Sequence, residues 1–158
     1  MNQIMKNTYG ILQMTTALRD QMIETLTNED LRYQLPANPT LGVLCREIGE
    51  VQQAYIQSFQ DFKMDFSYRV NDPALETSVD KLKAWYARLD DDFKNTLAAL
   101  SDEDIQQKMI DRGGDFHVPL ITQIHIFREA LLIFYGKATV YLLALGKPLS
   151  EQWKDWVG

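Results

Sequence analysis

Residues 120–145 read LITQIHIFREALLIFYGKATVYLLAL, and the spacing of their apolar residues is the main evidence for the predicted fold class. Its apolar residues recur at alternating steps of four and three positions, the spacing that places side chains on one face of an α-helix. We therefore predict a helix over about 118–145. Its apolar stripe consists of Leu120, Ile124, Phe127, Leu131, Phe134, Ala138, Tyr141 and Leu145.

Three earlier segments carry stripes of the same kind and predict helices over about 5–26, 40–64 and 77–100. The stripe of the first consists of Ile11, Met14, Leu18, Met22 and Leu26, and that of the third consists of Val79, Leu82, Tyr86, Leu89, Phe93, Leu97 and Leu100. No segment shows the strict alternation of apolar and polar residues that is typical of a half-buried strand. A chain of 158 residues suits one domain with one core. The predicted fold class is therefore all-α, an antiparallel four-helix bundle formed by a single domain over 1–158.

Residues at the breaks favour these boundaries. Thr40 is predicted to cap the second helix, Thr77 with Asp80 resembles a capping box before the third, and Gly146 is predicted to end the fourth. The turns LTNEDL at 26–31 and LSDEDI at 100–105 also resemble each other. They indicate either two helix–turn–helix pairs joined by a longer loop, or simply a common way to start a helix.

The charge balance excludes some partners. Lys and Arg total 16 against 22 Asp and Glu, a net charge of −6, whereas phosphate backbones require a cationic surface. No segment approaches the roughly 20 apolar residues that cross a bilayer. The single cysteine rules out an internal disulfide and fits a reducing compartment. We therefore expect a cytoplasmic protein with no nucleic-acid or membrane partner.

Two unusual clusters have ordinary interpretations. The run Asp90-Asp91-Asp92 is interpreted as a solvated helix face, since Leu89 and Phe93 on either side belong to the core stripe. The tail after the fourth helix contains Trp153 and Trp156 but lacks the basic face of a membrane-binding helix. We expect these tryptophans to fold back and cap the bundle.

The fourth helix is apolar on more than one side. Outside its main stripe it carries a second set of apolar and small residues. These are Ile126, Ala130, Ile133, Val140 and Ala144. A helix of this kind is buried against several neighbours or against another subunit. The sequence thus predicts a homodimer, formed through the first and fourth helices.

Few residues could carry chemistry. His125 and Glu129 share a face of the fourth helix, and Glu47 and Glu50 share a face of the second. These two pairs could hold a divalent metal such as zinc or nickel if their helices face each other, or they could be solvated polar faces.

Cys45 is a second candidate for chemistry. It lies near the start of the second helix, where a thiol pKa can be lowered, so Cys45 together with His125 is a candidate for nucleophilic catalysis. The alternative is a small buried hydrophobic residue.

A resemblance to a known family rests on two phrases. The phrase LGVLCREIGEV at 41–51 resembles helix two of the DinB/YfiT-like superfamily. The phrase EALLIFYGK at 129–137, with Tyr141 and the LGKP motif at 145–148, resembles the last helix of that family. By the order of its elements, the resemblance covers nearly the whole chain.

The resemblance implies a four-helix bundle, often dimeric, in which many members bind a divalent metal through three histidines. Some members are transferases or isomerases that use low-molecular-weight thiols. The three histidine positions correspond to Glu47, Ala130 and Phe134 in this sequence. This chain therefore resembles a member that lacks the three metal-binding histidines.

Two functions follow as expectations. The first is a metal-free bundle without a cofactor that binds a small molecule or a protein partner, with no catalysis assigned. The alternative is a metal-dependent enzyme of the thiol-transferase type with a rebuilt site. In both cases the candidate pocket or rebuilt site consists of Glu47, Glu50, His125, Glu129 and Phe134.

Overall fold

Four long helices form the body of the protein. The computed structural model describes all residues, Met1–Gly158. In chain order the helices are α1 (Gln3–Asn7), α2 (Tyr9–Glu24), α3 (Leu41–Asp61), α4 (Val79–Ala99), α5 (Asp102–Gln107), α6 (Leu120–Ala144) and α7 (Glu151–Trp156), with strands β1 (Met109–Asp111) and β2 (His117–Pro119) between α5 and α6. The four predicted helices correspond to α2, α3, α4 and α6, so the all-α fold is confirmed.

The helices pack with both relative directions. The α3/α4 interface is parallel, with the hydrogen-bonded pairs Cys45–Tyr86, Gln52–Asp90 and Gln60–Thr96. The α3/α6 interface is antiparallel, with the contacts Ser58–Gln123 and Tyr55–Phe127. The α2/α4 interface is also antiparallel, with the ion pairs Arg19–Asp90 and Glu24–Lys83. The predicted antiparallel packing therefore holds for two interfaces. The long connection 62–78 returns the chain to the end at which α3 began, so α3 and α4 run side by side.

The stripe of α4 lies wholly in the core, whereas the stripe predicted for the first helix is partly wrong. Leu18 and Met22 are buried, but Ile11 and Met14 are 39% and 51% exposed. The buried positions of α2 also include Leu12, Thr15 and Arg19; the Thr15 hydroxyl accepts a hydrogen bond from Arg128 of α6, and Arg19 pairs with Asp90 of α4. The segment also breaks at Thr8, between α1 and α2.

A short hairpin corrects the expectation that the chain has no strands. Strands β1 and β2 pair antiparallel, with Ile110 opposite Val118, and both of these side chains are buried. Three residues per strand are too few to produce a readable alternation. The turn between the strands contains Gly113 and Gly114, both at positive φ, which glycine adopts without a steric penalty.

The caps agree with the sequence in most places. The Thr40 hydroxyl accepts a hydrogen bond from the Val43 N–H, but the cap of α4 is Ser78 instead of the predicted Thr77. The two similar turns share one geometry. In each, a hydroxyl residue and an aspartate three positions later bond each other's backbone N–H. The pairs are Thr27–Asp30 and Ser101–Asp104.

The end of α6 is closed from two directions. Gly146, at φ 66°, forms the left-handed C-terminal turn, with hydrogen bonds from the Lys147 N–H to Leu142 O and from the Gly146 N–H to Leu143 O. Trp153 of α7 folds back as predicted: it is 2% exposed, and its Nε1 donates to Thr139 Oγ1 at 2.9 Å. None of the helices is both long and apolar enough to cross a lipid bilayer.

Candidate functional site

A cavity of about 180 Å³ lies between α3, α6 and the connection 62–78. Helix α3 supplies two carboxylates and two apolar residues, the connection supplies an aromatic ring and a guanidinium, and α6 supplies a second ring. The lining residues are Glu47, Glu50, Val51, Ala54, Phe66, Arg69 and Phe134. The cavity therefore combines apolar walls with charged groups.

Helix periodicity and close packing place this face of α3 toward the cavity. Its four lining residues, within 47–54, are spaced by three, one and three positions, so they lie on one side of the helix. Gly49 lies against α4, where an added Cβ would stand 2.3 Å from the Trp85 ring. The missing side chain lets α3 and α4 approach closely.

Glu50 is a buried carboxylate that holds the connection in place. It is only 4% exposed. Its Oε1 accepts a hydrogen bond from the Val70 N–H at 3.0 Å and lies 3.7 Å from Nε of Arg46. The Arg46 guanidinium pairs more closely with Glu76, at 2.9 Å, and its Nε has no hydrogen-bond partner. Glu50 is thus only partly compensated, and its Oε2 accepts no hydrogen bond.

Glu47 differs from Glu50 because no cation or hydrogen-bond donor is paired with it in the structure. It is half-buried and lines the cavity. Burial, and after it the charge of Glu47, raise the pKa of the neighbouring Tyr141, whose hydroxyl donates to Pro39 O at 2.6 Å. The carboxylate of Glu47 is therefore available to a ligand.

Two aromatic rings line the cavity, one from the connection and one from α6. Phe66 is 49% exposed and makes an edge contact with Tyr55, with ring centroids 6.1 Å apart. Phe134 is half-buried, and Nζ of Lys137 lies 5.3 Å from its ring centroid. The Nη1 of Arg69 donates to two carbonyls of its own loop, which shapes the rim.

The structure brings together three of the five residues proposed from the sequence. Glu47, Glu50 and Phe134 line one cavity, whereas His125 and Glu129 are exposed on α6 and are not among its lining residues. Sequence reasoning missed Phe66 and Arg69. They lie in a connection without periodicity, and no local signal assigns them to a site.

The hypothesis of a catalytic Cys45 is wrong. The thiol is fully buried, and burial raises its pKa to about 12, although a hydrogen bond with Tyr86 acts in the opposite direction. A thiol in this state is not a nucleophile near neutral pH. Its supposed partner, His125, is exposed on α6.

A second polar cluster joins α2, α3 and α4. The guanidinium of Arg19 is fully buried, pairs with Asp20 and Asp90 at 2.8 and 2.7 Å, and donates to Gln52 Oε1 at 2.6 Å. The ring of Tyr86 lies 4.2 Å from the same guanidinium. Asp90 is therefore not simply part of a solvated face, as the aspartate run suggested. These groups bond mainly to one another, so the cluster joins the three helices.

Comparison with solved structures identifies the fold of this chain. The chain is similar to a DinB-like protein from Bacillus cereus ATCC 10987, with a TM-score of 0.71 and 22% sequence identity. The similarity covers 90% of this chain and 95% of that one. The chain has the DinB-like fold. No protein-family model matches the sequence, and no curated protein matches it.

Within this DinB-like fold, the metal positions that the sequence resemblance implies do not fit a metal ion. They hold Glu47, Ala130 and Phe134, and neither alanine nor phenylalanine has a donor atom. No group of three or more His, Cys, Asp or Glu side chains is close enough to hold a metal elsewhere. At Phe134 a ring lines the cavity where the resemblance places a ligand.

Proposed function

We propose that this DinB-fold protein binds a small molecule in the cavity between α3 and α6, without a metal or other cofactor and with no catalytic step assigned. The observation that carries the proposal is a cavity in which the unpaired carboxylate of Glu47 faces apolar walls. Ligand sites commonly combine apolar walls with a few polar groups that orient the ligand. The volume of about 180 Å³ suits a fragment of one ring.

The proposal is tested by screening one-ring fragments against chelator-treated protein with ligand-observed NMR. Val51 is half-buried and lines the cavity, so its side chain can be changed without opening the core. We expect Val51→Phe, which fills the cavity, to abolish the binding of hits. The matched variant Val51→Ala, which enlarges it, should retain them. Hits that bind Val51→Phe as well as the original protein would contradict the proposal.

We also propose that the protein is a homodimer. Ile133, Val140 and Leu143 are 62%, 54% and 62% exposed on α6, and their spacing by seven and three positions places them on one face. An exposed apolar face of this kind is typical of an interface with another protein surface.

We also propose a cytoplasmic location. The free thiol of Cys45, with no second cysteine to pair with, is compatible with a reducing compartment.

A further inference from the structure

We propose that the ligand of this cavity is a small organic cation, an amine attached to an apolar or aromatic body, whose ammonium group is held by Glu47 and Glu50. This inference rests on the function proposed above and adds the chemical class of the ligand. It is carried by the charges at the cavity, the carboxylate oxygens that accept no hydrogen bond from the protein, and the two rings.

The charge balance of the lining favours a cation. Two carboxylates face one guanidinium, and Nη1 of that guanidinium, on Arg69, is engaged with Phe66 O and Tyr68 O. Arg46 offsets part of the charge of Glu50 from 3.7 Å, but no basic side chain lies within ion-pairing distance of Glu47. An anionic ligand would meet this excess negative charge, and a neutral one would leave it uncompensated.

The hydrogen bonds of Glu50 also favour an ammonium ligand. Glu50 is more than nine-tenths buried, yet only its Oε1 is engaged, by the Val70 N–H. Its Oε2 accepts no hydrogen bond from the protein and is not closed off from solvent, so an ammonium donor that enters the cavity can bind it. The three N–H groups of a primary ammonium can reach more than one acceptor, so one such group can serve both glutamates.

The rings distinguish an organic cation from a metal ion. Divalent metals need several donor side chains, and here two carboxylates stand without a third His, Cys, Asp or Glu. Aromatic faces contribute nothing to metal coordination, but they attract organic cations and pack against apolar groups. Phe66 provides such a surface from the connection, and Phe134 provides one from α6, where Nζ of Lys137 already lies 5.3 Å from the ring centroid.

The test compares three probes of nearly equal size: benzylamine, benzyl alcohol and benzoate. Each is titrated at pH 7 and low salt into chelator-treated protein, and the amide shifts of Val51, Ala54 and Val70 are followed by NMR. We expect benzylamine to bind with a Kd about tenfold lower than that of benzyl alcohol. The net free energy of one charge-assisted hydrogen bond corresponds to a change in Kd of about this size. Benzoate should bind most weakly.

Variants show whether the preference comes from the cavity. In Glu47→Gln, the preference for benzylamine over benzyl alcohol should fall to within about threefold. In the matched variant Glu103→Gln, at an exposed position of α5, it should stay about tenfold. Equal or tighter binding of benzyl alcohol or benzoate in the cavity would overturn the cation inference alone. Absence of shifts in these amides with every probe would overturn the proposed function and the inference with it.

Discussion

Asp90 shows at the scale of a single residue that neighbours in the sequence can have unrelated roles. Of the three consecutive aspartates, Asp90 pairs with the buried Arg19 and accepts a hydrogen bond from Gln52, whereas Asp91 and Asp92 are exposed. We expect Asp90→Asn to lower the free energy of unfolding by about 1–3 kcal/mol, because it weakens the compensation of a buried charge. Asp91→Asn should change it by less than about 0.5 kcal/mol. Equal effects in urea denaturation would contradict this role for Asp90.

Asp30 makes a pH-dependent contribution. Burial would raise its pKa, but hydrogen bonds from Lys147, whose Nζ lies at 2.6 Å, and from Thr27 outweigh burial and lower the pKa. A folded-state pKa below the unfolded one gives stability that is present above about pH 4 and lost as the pH falls through the folded pKa.

The corresponding variant separates this contribution from others. We expect Asp30→Asn to be less stable than the original protein at pH 7, by about 1–2 kcal/mol. The difference should shrink at pH 3, below the ordinary pKa of an aspartate, because this position is then largely protonated in the unfolded chain. Lys147→Met should reproduce most of the pH 7 effect. Urea unfolding at both pH values measures it, and a difference that does not change with pH would contradict the assignment.

At the level of elements, a close backbone contact holds α3 against the connection 62–78. Gly42, in the first turn of α3, lies against the connection 62–78, and an added Cβ would stand 1.9 Å from the backbone oxygen of Glu76. Backbone atoms cannot move aside as a flexible side-chain end can. We therefore expect Gly42→Ala to destabilise the protein by about 1–3 kcal/mol.

Gly10 is the matched control at the same scale. It lies in α2 with no atom within 4 Å of an added Cβ. Gly10→Ala should therefore stabilise the protein by about 0.5–1 kcal/mol through helix propensity alone. Thermal unfolding should shift in opposite directions for the two variants, and a Gly42→Ala protein as stable as the original would contradict the packing described for α3.

The predictability of the elements differed for physical reasons. Periodicity predicted α3, α4 and α6 well because apolar residues at helical spacing form most of their buried faces, although α3 also buries Glu50, Gln52 and Ser58. In α2, Thr15 and Arg19 are buried, and each also bonds to a group on another helix, Thr15 to Arg128 and Arg19 to Gln52, so no local pattern reveals them. The hairpin strands are too short to show alternation.

The candidate site was predictable to a smaller extent. Glu47 and Phe134 were identified by position in a resemblance, and the fold places both at one cavity. Phe66 and Arg69 reach that cavity only because the connection between two parallel helices crosses it. His125 shares the helix of Phe134 but is exposed, since the side of a helix depends on register and not on nearness in sequence.

At the scale of the whole molecule, the exposed face of α6 predicts assembly. We expect light scattering at micromolar concentration to give twice the chain mass of 18.3 kDa. The double variant Ile133→Glu/Val140→Glu should give a monomer, because like charges on a buried interface lose hydration without partners. Phe116→Glu, at an exposed residue outside α6, should remain dimeric. A monomeric original protein would contradict the proposed dimer.

The central claim is that a cavity in this DinB-like fold binds a small molecule without a metal. The most direct measurement is a crystal structure of chelator-treated protein soaked with the tightest-binding fragment of the NMR screen. We expect density for the fragment between Glu47 and Phe134, with no metal peak beside it. Fragment density only outside this cavity, or a fragment held through a metal ion on Glu47, would contradict the claim.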